Sequence, residues 1–191
     1  MLPMENDQRL LDCALALFSQ RGYDAVSVRE IVEAAGVTKP TLYHYFSSKQ
    51  GLLNALVERE AGLLLASVRS AVDYQGDLVL TLERTVRAYF EFARKYHVFY
   101  RFHLACYFSP AESEANQAMR PLIDQQNRML ENLFTRAAQS HGNLRGKHSR
   151  LAVSLLGEIN ALIGLGLNNQ LDLNYEIIYQ TVHQFMYGIF S

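Results

Sequence analysis

Apolar residues recur at intervals of three and four along most of the chain, the spacing of a helix with one buried face. This pattern predicts nine helices and no strand, and therefore an all-α protein. Two short helices are expected within the segment from Ser27 to Phe46. The other seven are expected at Asn6–Arg21, Lys49–Val72, Asp77 to Ala93, His97–Phe108, Pro110 to His141, Ser149–Asn168 and Tyr175–Phe190.

The segment from Ser27 to Phe46 contains the signals of a helix-turn-helix. Ser27 and Glu30 form a capping box, in which each side chain bonds the other residue's backbone N–H. Gly36 follows where a helix ends in a left-handed residue, which glycine adopts without steric cost. Thr38 is positioned as the next N-cap, and Pro40 falls in that helix's first turn.

The second helix of this motif separates an apolar face from a polar one. Leu42 and Phe46 point inward, whereas Lys39 and Tyr43 share the opposite face. The alternative is that the aromatic residues belong to a small helical core. The capping box and the glycine turn favour a face that reads a major groove. The residues expected to contact DNA are Arg29, Thr38, Lys39, Pro40, Thr41, Tyr43, His44 and Lys49.

The pattern AxxGVTKPTLYHYFxSKxxLL, from Ala34 to Leu53, resembles the tetracycline-repressor (TetR/AcrR) family of bacterial transcription regulators. The resemblance covers roughly residues 7 to 57, and Pro40 stands where such proteins often carry glycine, alanine or serine. It implies a DNA-binding domain at residues 1–50 and an effector-binding and dimerisation domain at residues 51–191. It further implies a homodimeric repressor that binds a palindromic DNA operator and is released by a small-molecule effector.

Composition qualifies this interpretation. The formal net charge is −1, whereas DNA-binding proteins usually carry a basic patch. Few phosphate contacts per subunit and a modest salt dependence are therefore expected. The distant cysteines Cys13 and Cys106 predict no disulfide and suit a reducing cytoplasm. No leader peptide is indicated, and polar residues interrupt the apolar run Leu151–Leu167, so no membrane association is expected.

An aromatic cluster in the fifth and sixth helices mixes apolar rings with polar tips, as small-molecule sites do. The alternative is a plain aromatic core, and the family resemblance favours a pocket for an apolar or aromatic effector. A metal site at His103 and Cys106 lacks the third and fourth ligands that zinc needs, so no metal or cofactor is expected. The expected pocket residues are Tyr89, Phe92, Tyr96, Phe99, His103 and Tyr107.

The last two helices are too apolar for a solvated surface and predict a partner face. Gly157, Ala161 and Gly164 lie along one side of helix eight and would allow another helix to approach, with Phe185 contributed by helix nine. In the family, the corresponding helices pair with their copies. Burial in the core of a single subunit is the competing explanation for helix eight.

Two other functions compete with DNA binding. An enzyme would need a convergent acid, base or nucleophile, a phosphate loop or a metal motif, and none is recognisable, so no enzymatic activity is expected. A helical adaptor that never touches DNA is the other alternative, and the acidic charge balance is its main support.

Overall fold

The computed structural model describes residues 6–188, and these residues form nine α-helices and no strand. The expected all-α fold is therefore confirmed. The helices are α1 (Asn6–Arg21), α2 (Val28–Ala35), α3 (Lys39–Phe46), α4 (Lys49–Arg69), α5 (Leu78–Lys95), α6 (His97–Tyr107), α7 (Glu114–Ala137), α8 (His148–Leu167) and α9 (Tyr175–Tyr187). A 3-10 helix at Gly142–Leu144 precedes α8.

The chain divides into two compact units, and the first comprises residues 6–62 and 98–121 within the described range. In this unit α1 packs on α2 and α3. The Phe18 ring stacks on the Phe102 ring of α6, with 5.9 Å between the ring centroids. The regularly spaced apolar residues of α1 to α4 thus pack into one apolar core. Its fully buried members include Leu10, Ala14, Ile31, Leu42, Leu52, Leu53 and Leu56.

The second unit comprises residues 63–97 and 122–188 within the described range, and in it α5 packs on α8 and α9. The buried threonines Thr81 and Thr85 join the apolar residues because each donates to a backbone carbonyl. The Thr85 hydroxyl donates to the Thr81 carbonyl at 2.8 Å, which removes the cost of burying it. The apolar core includes Leu82, Val86, Phe90, Leu133, Phe134, Leu155, Ile159 and Ile163.

Most predicted helix boundaries agree with the structure within a few residues, and α1 agrees at both ends. The start of α7 was predicted wrongly at Pro110, because Ser113 is the residue that caps this helix. The Ser113 hydroxyl accepts the Asn116 N–H at 3.2 Å, and residues 110–113 form a turn before it. Phe190, the predicted end of α9, lies outside the described residues.

The compact units differ from the predicted domains, which were divided at residue 50. Besides α1, α2 and α3, the first unit includes α4 up to Gly62, α6 and the start of α7. Compactness and function need not share a boundary, so a DNA-binding domain at residues 1–50 and an effector domain at residues 51–191 stay predictions.

Candidate nucleic-acid interface

The turn between α2 and α3 has the backbone geometry that its sequence predicts. The Ser27 N–H donates to Glu30 Oε2 at 2.8 Å, and the Glu30 N–H donates to Ser27 Oγ at 3.3 Å. Gly36 ends α2 in the left-handed region, with φ 65° and ψ 34°. The capping box and the glycine turn are both confirmed, so α2 is bounded at each end by local contacts.

The capping carboxylate also carries an ion pair. Arg21 Nη1 lies 2.7 Å from Glu30 Oε1, so the end of α1 is joined to the start of α2. Hydrogen bonds from the Ser27 backbone and hydroxyl, together with Arg21, lower the pKa of Glu30 to about 2. Glu30 therefore remains a carboxylate, and keeps its capping role, well below neutral pH.

Arg9 supports the same turn through a contact that the sequence pattern did not reveal. Its Nη2 donates to the Ala35 carbonyl at 2.6 Å, at the C-terminal end of α2. A positive charge there complements the helix dipole. A Cβ at Gly36 would lie 3.1 Å from Arg9 Nη2, so this glycine leaves room for the guanidinium as well as adopting a positive φ.

The face of α3 that was predicted to read DNA is exposed. Leu42 is fully buried on the opposite side, whereas 47% of the Tyr43 surface is accessible. Lys39, Pro40 and His44 are exposed too. In the part of the chain that the structure describes, Lys39 has no ion-pair or hydrogen-bond partner, so its ammonium is available to a phosphate or a base edge.

The two threonines of this segment hold the start of α3. The Thr38 and Thr41 hydroxyl oxygens lie 2.9 Å apart, and the Thr41 N–H points at Thr38 Oγ at 3.4 Å. Thr38 is confirmed as the N-cap. Thr38 is exposed and Thr41 half-buried, so any DNA contact by Thr41 would come from the edge of the face.

Arg29 lies on the exposed side of α2 and pairs with Glu33, one turn further on. Arg29 Nε is 2.6 Å from Glu33 Oε1, and three quarters of the Arg29 side chain is accessible. An exposed pair of this kind contributes little stability. A phosphate can therefore replace Glu33 as the partner of Arg29 at small cost.

Lys49 is the exception among the eight expected DNA contacts, because the structure turns its ammonium inward. Lys49 Nζ donates to the Tyr23 carbonyl at 2.6 Å and lies 3.9 Å from the centroid of the Tyr23 ring. Burial lowers the pKa of Lys49 from its ordinary value. Within the described residues the Lys49 ammonium therefore stabilises the first unit, and its expected contact with DNA stays a prediction.

Tyr23 connects this lysine to the start of α7, within the same unit. The Tyr23 hydroxyl donates to the Glu114 carboxylate, and the Tyr23 ring packs against Phe18 with 5.2 Å between centroids. Burial, and then the Glu114 hydrogen bond, raise the pKa of Tyr23. Tyr23, Lys49 and Glu114 thus form one polar cluster behind the helix-turn-helix.

The connection from α3 to α4 depends on a glycine that the sequence pattern did not single out. Ser47 has a positive φ of 61°, and the Ser48 N–H donates to the Phe46 carbonyl at 2.7 Å, which makes the turn very tight. A Cβ at Gly51 would overlap that carbonyl oxygen and lie 3.1 Å from its carbon. Gly51 therefore allows the last turn of α3 to lie directly on the first turn of α4.

The six expected effector residues divide between the two units. Phe99, His103 and Tyr107 belong to the first, and the Tyr89, Phe92 and Tyr96 group belongs to the second. In the first unit His103 is fully buried, with ring centroids 6.2 Å from Phe99 and 6.4 Å from Tyr107. In the second, the Phe92 and Tyr96 rings lie 4.6 Å apart.

Neither ring nitrogen of His103 has a hydrogen-bond partner within residues 6–188, although both are buried. Burial lowers the pKa of His103 to about 4, so the ring is neutral at physiological pH. A neutral imidazole has one donor and one acceptor, and unpaired polar atoms of this kind are rare in protein interiors.

The residues expected at a dimer interface are accessible to different extents. Gly157 and Ala161 are exposed on α8, and Gly164 is half-buried. Phe185 is half-buried on α9 and packs against Phe134, with 5.9 Å between ring centroids. Gly166, which the sequence pattern did not highlight, serves the packing of the second unit, because a Cβ there would lie 2.7 Å from the Leu173 side chain.

Two further findings concern the described part of the chain as a whole. No group of three or more His, Cys, Asp and Glu side chains there could hold a metal ion. By length and composition alone, α8 could cross a membrane. Its most apolar window of 18 residues has a mean hydropathy of 1.4, and 33% of that window is buried. The core helix of a protein in water meets the same criteria, so this is weak support for a membrane span.

Comparison with known proteins agrees with this geometry. Residues 10–56 match the family described as bacterial regulatory proteins, tetR family. The transcriptional activator FasR of Mycolicibacterium smegmatis is 40% identical over 88 residues, which is 46% of this chain and 40% of FasR. The transcriptional repressor KstR2 of Mycobacterium tuberculosis is 29% identical over 125 residues, which is 65% of this chain and 60% of KstR2.

A solved structure extends the likeness in fold to nearly the whole chain. The transcriptional regulator FadR of Bacillus subtilis, in complex with stearoyl-CoA, superposes with a TM-score of 0.79. It is 19% identical, and the match covers 95% of this chain and 98% of FadR. At this identity the likeness concerns the fold alone.

Fold and exposed face together define a helix-turn-helix DNA-binding protein with an all-helical body. Residues 10–56 are similar to the TetR family, and the resemblance predicted from Ala34 to Leu53 is confirmed. The matches to the two curated relatives span 40% and 60% of those proteins. The activity and partners of the whole protein are therefore matters for proposal.

Proposed function

We propose that this protein is a ligand-responsive transcriptional repressor that binds a palindromic DNA operator as a homodimer. The observation that carries the proposal is the exposed face of α3, where Lys39, Tyr43 and His44 stand opposite the fully buried Leu42. The relatives named above include an activator and a repressor. Repression is the simpler outcome, because occupying an operator needs nothing beyond the DNA-binding domain.

In the proposed complex α3 lies in the major groove, and its partner copy lies one helical turn away, about 34–36 Å along the DNA. Lys39 and Arg29 supply phosphate contacts, while Pro40, Thr41 and the aromatic tips face the base edges. Few cations lie around this face, so each domain alone binds weakly. Tight binding then depends on two domains at the correct separation.

The DNA proposal is tested by selecting bound fragments from genomic DNA and titrating the selected operator by fluorescence anisotropy. Replacing one phosphate contact, in Lys39→Ala, should weaken binding about tenfold and lower the salt slope by about one. Lys147→Ala, an exposed lysine before α8, is the matched control and should bind like the wild type. The proposal would be contradicted if Lys39→Ala bound the operator as tightly as Lys147→Ala does, or if both variants bound operator and scrambled DNA equally well.

The homodimer is supported by two exposed apolar stripes. On α8, Val153, Gly157, Ala161 and Leu165 recur every four residues and are all exposed. The second stripe, on α9, consists of Tyr175, Tyr179, His183 and Tyr187, of which the tyrosines are exposed. Only a third of the most apolar window of α8 is buried. Such a face is typical of a surface that pairs with a second copy.

The effector proposal rests on His103 and the aromatic residues around it. A neutral, buried imidazole without a partner suits a ligand that carries a carbonyl or a hydroxyl group on an apolar body. FadR of Bacillus subtilis is described in complex with stearoyl-CoA. Acyl thioesters of coenzyme A are therefore the first effectors to test here. A regulator that binds both DNA and such metabolites would act in the cytoplasm.

The effector is tested by adding acyl-CoA of increasing chain length to the protein–operator complex. Release of the operator at micromolar ligand is expected, because a ligand lowers DNA affinity by its differential binding to the two states. His103→Phe keeps an aromatic ring, slightly larger than imidazole, and removes both nitrogens, so the variant should bind DNA normally and respond more weakly to the ligand. If no acyl-CoA releases the operator, this effector class is rejected, and the proposal of DNA binding is unaffected.

A further inference from the structure

A groove of about 630 Å³ lies within the second unit, between the C-terminal half of α4 with the turn after it and the second half of α7. It belongs to neither the DNA-binding face nor the aromatic cluster around His103. Its volume lies within the range of small-molecule sites. The lining residues are Leu65, Arg69, Ser70, Val72, Asp73, Gln125, Arg128, Met129, Asn132, Leu133 and Arg136.

Part of the groove lining is basic. Arg128 and Arg136 lie two turns apart on one face of α7, and Arg69 is the last residue of α4. Arg136 is held in place, because it pairs with Asp73 and its Nη2 donates to the Tyr74 carbonyl at 2.7 Å. Arg69 and Arg128 have no ion-pair or hydrogen-bond partner between residues 6 and 188.

The charge of the groove is opposite in sign to that of the chain. Three arginines and one aspartate give the lining a formal charge of +2, whereas the whole protein carries −1. Arg69 and Arg128 both line the groove without a carboxylate partner within residues 6–188, so a dianion bound there would be attracted to both. The basic cluster is therefore suited to a doubly charged anionic group.

Another part of the lining is apolar. Leu133 is buried, and Leu65 and Met129 are half-buried at the base. The Gln125 and Asn132 amides stand beside them and offer both donors and acceptors. A ligand of this groove would combine negative charge at one end with an apolar or aromatic body that has hydrogen-bonding edges.

We propose that this groove binds a phosphate-bearing organic ligand of nucleotide size. Its phosphate lies between Arg69 and Arg128, whose planar guanidinium groups match phosphate oxygens in pairs. Its organic part covers Met129 and Leu133. Binding requires no DNA, so only the identification of this ligand with the effector rests on the proposed function.

The proposal is tested by isothermal titration calorimetry of the full chain with coenzyme A, which carries phosphates, an adenine and an apolar arm. Pantetheine, which lacks the phosphates, and inorganic phosphate are titrated in parallel. Coenzyme A should bind, pantetheine should bind at least tenfold more weakly, and millimolar phosphate should compete with coenzyme A.

Variants locate the site. Arg128→Ala should weaken coenzyme A binding about tenfold and the double variant Arg69→Ala with Arg128→Ala about a hundredfold. Arg94→Ala, an exposed arginine of α5 in the same unit, is the matched control and should bind like the wild type. Arg128→Gln, which keeps a polar side chain and removes the charge, should behave like Arg128→Ala and is the check against a folding defect.

Any of three results would refute the proposed binding site. They are no binding of coenzyme A, an affinity for pantetheine equal to that for coenzyme A, or equal affinities of the Arg128 and Arg94 variants for coenzyme A. Operator binding by the groove variants without ligand should match the wild type, since the groove lies outside the DNA-binding face. If coenzyme A binds in the groove and no operator is released, the binding site is supported and only its role in regulation is refuted.

Discussion

Gly51 and Gly62 lie on the same helix, and replacing each by alanine should have opposite effects. A Cβ at Gly51 would overlap the carbonyl oxygen of Phe46, whereas a Cβ at Gly62 would have no atom within 4 Å. Neither glycine has a positive φ. The two substitutions therefore make the same change in helix propensity and differ only in the space that the methyl group finds.

The magnitude follows from what must move. The obstacle at Gly51 is backbone, because the Phe46 carbonyl accepts the Ser48 N–H at 2.7 Å and so closes the turn between α3 and α4. Overpacking of this kind costs about 1–3 kcal/mol, and alanine in a helix recovers about 0.5–1 kcal/mol. Gly51→Ala should therefore lose up to about 2.5 kcal/mol, and Gly62→Ala should gain about 0.5–1 kcal/mol.

Thermal unfolding followed by circular dichroism measures the difference. At about 2–4 °C per kcal/mol for a chain of this size, the overpacking cost of about 1–3 kcal/mol should separate the Tm values of the two variants by about 2–12 °C at equal protein concentration. Gly51→Ala should also weaken operator binding, because the last turn of α3 has to shift. A Gly51→Ala protein as stable as Gly62→Ala would refute the close approach of α3 to α4.

Three further predictions concern the capping box, the inward lysine and the apolar stripes. Because the pKa of Glu30 is lowered to about 2, the stability that its carboxylate contributes is complete above pH 4.5 and is lost as the pH falls toward 2. Between pH 4.5 and 2 the Tm of Glu30→Gln should therefore fall less steeply than that of the wild type. Equal slopes of Tm against pH for the two proteins would contradict the assignment. Lys49→Met should lower both Tm and operator affinity and leave the salt slope of binding unchanged; a slope reduced by about one would instead indicate a phosphate contact. Ala161→Glu places a charge on the exposed stripe of α8 and should shift the protein toward a monomer in light scattering, whereas Ala105→Glu, at an exposed alanine of α6, should not; identical masses for the two variants would reject the interface.

Local signals made the helix-turn-helix predictable from the sequence. The Ser27–Glu30 capping box, the Gly36 turn and the Thr38 cap each join residues no more than three or four positions apart. Such contacts form wherever the residues occur in order, because backbone geometry alone brings them together. The buried face of each helix was predictable for the same reason, since the period of 3.6 residues is a property of the helix itself.

Contacts between residues far apart in sequence required the tertiary structure. Lys49 follows the pattern of an exposed basic residue, yet its ammonium lies on Tyr23, 26 positions away. Arg69 and Arg128 belong to different helices and look like ordinary surface arginines until the packing of α4 and α7 makes them walls of one groove. Spacing along the chain cannot determine these neighbours, because they depend on how separate helices pack against one another.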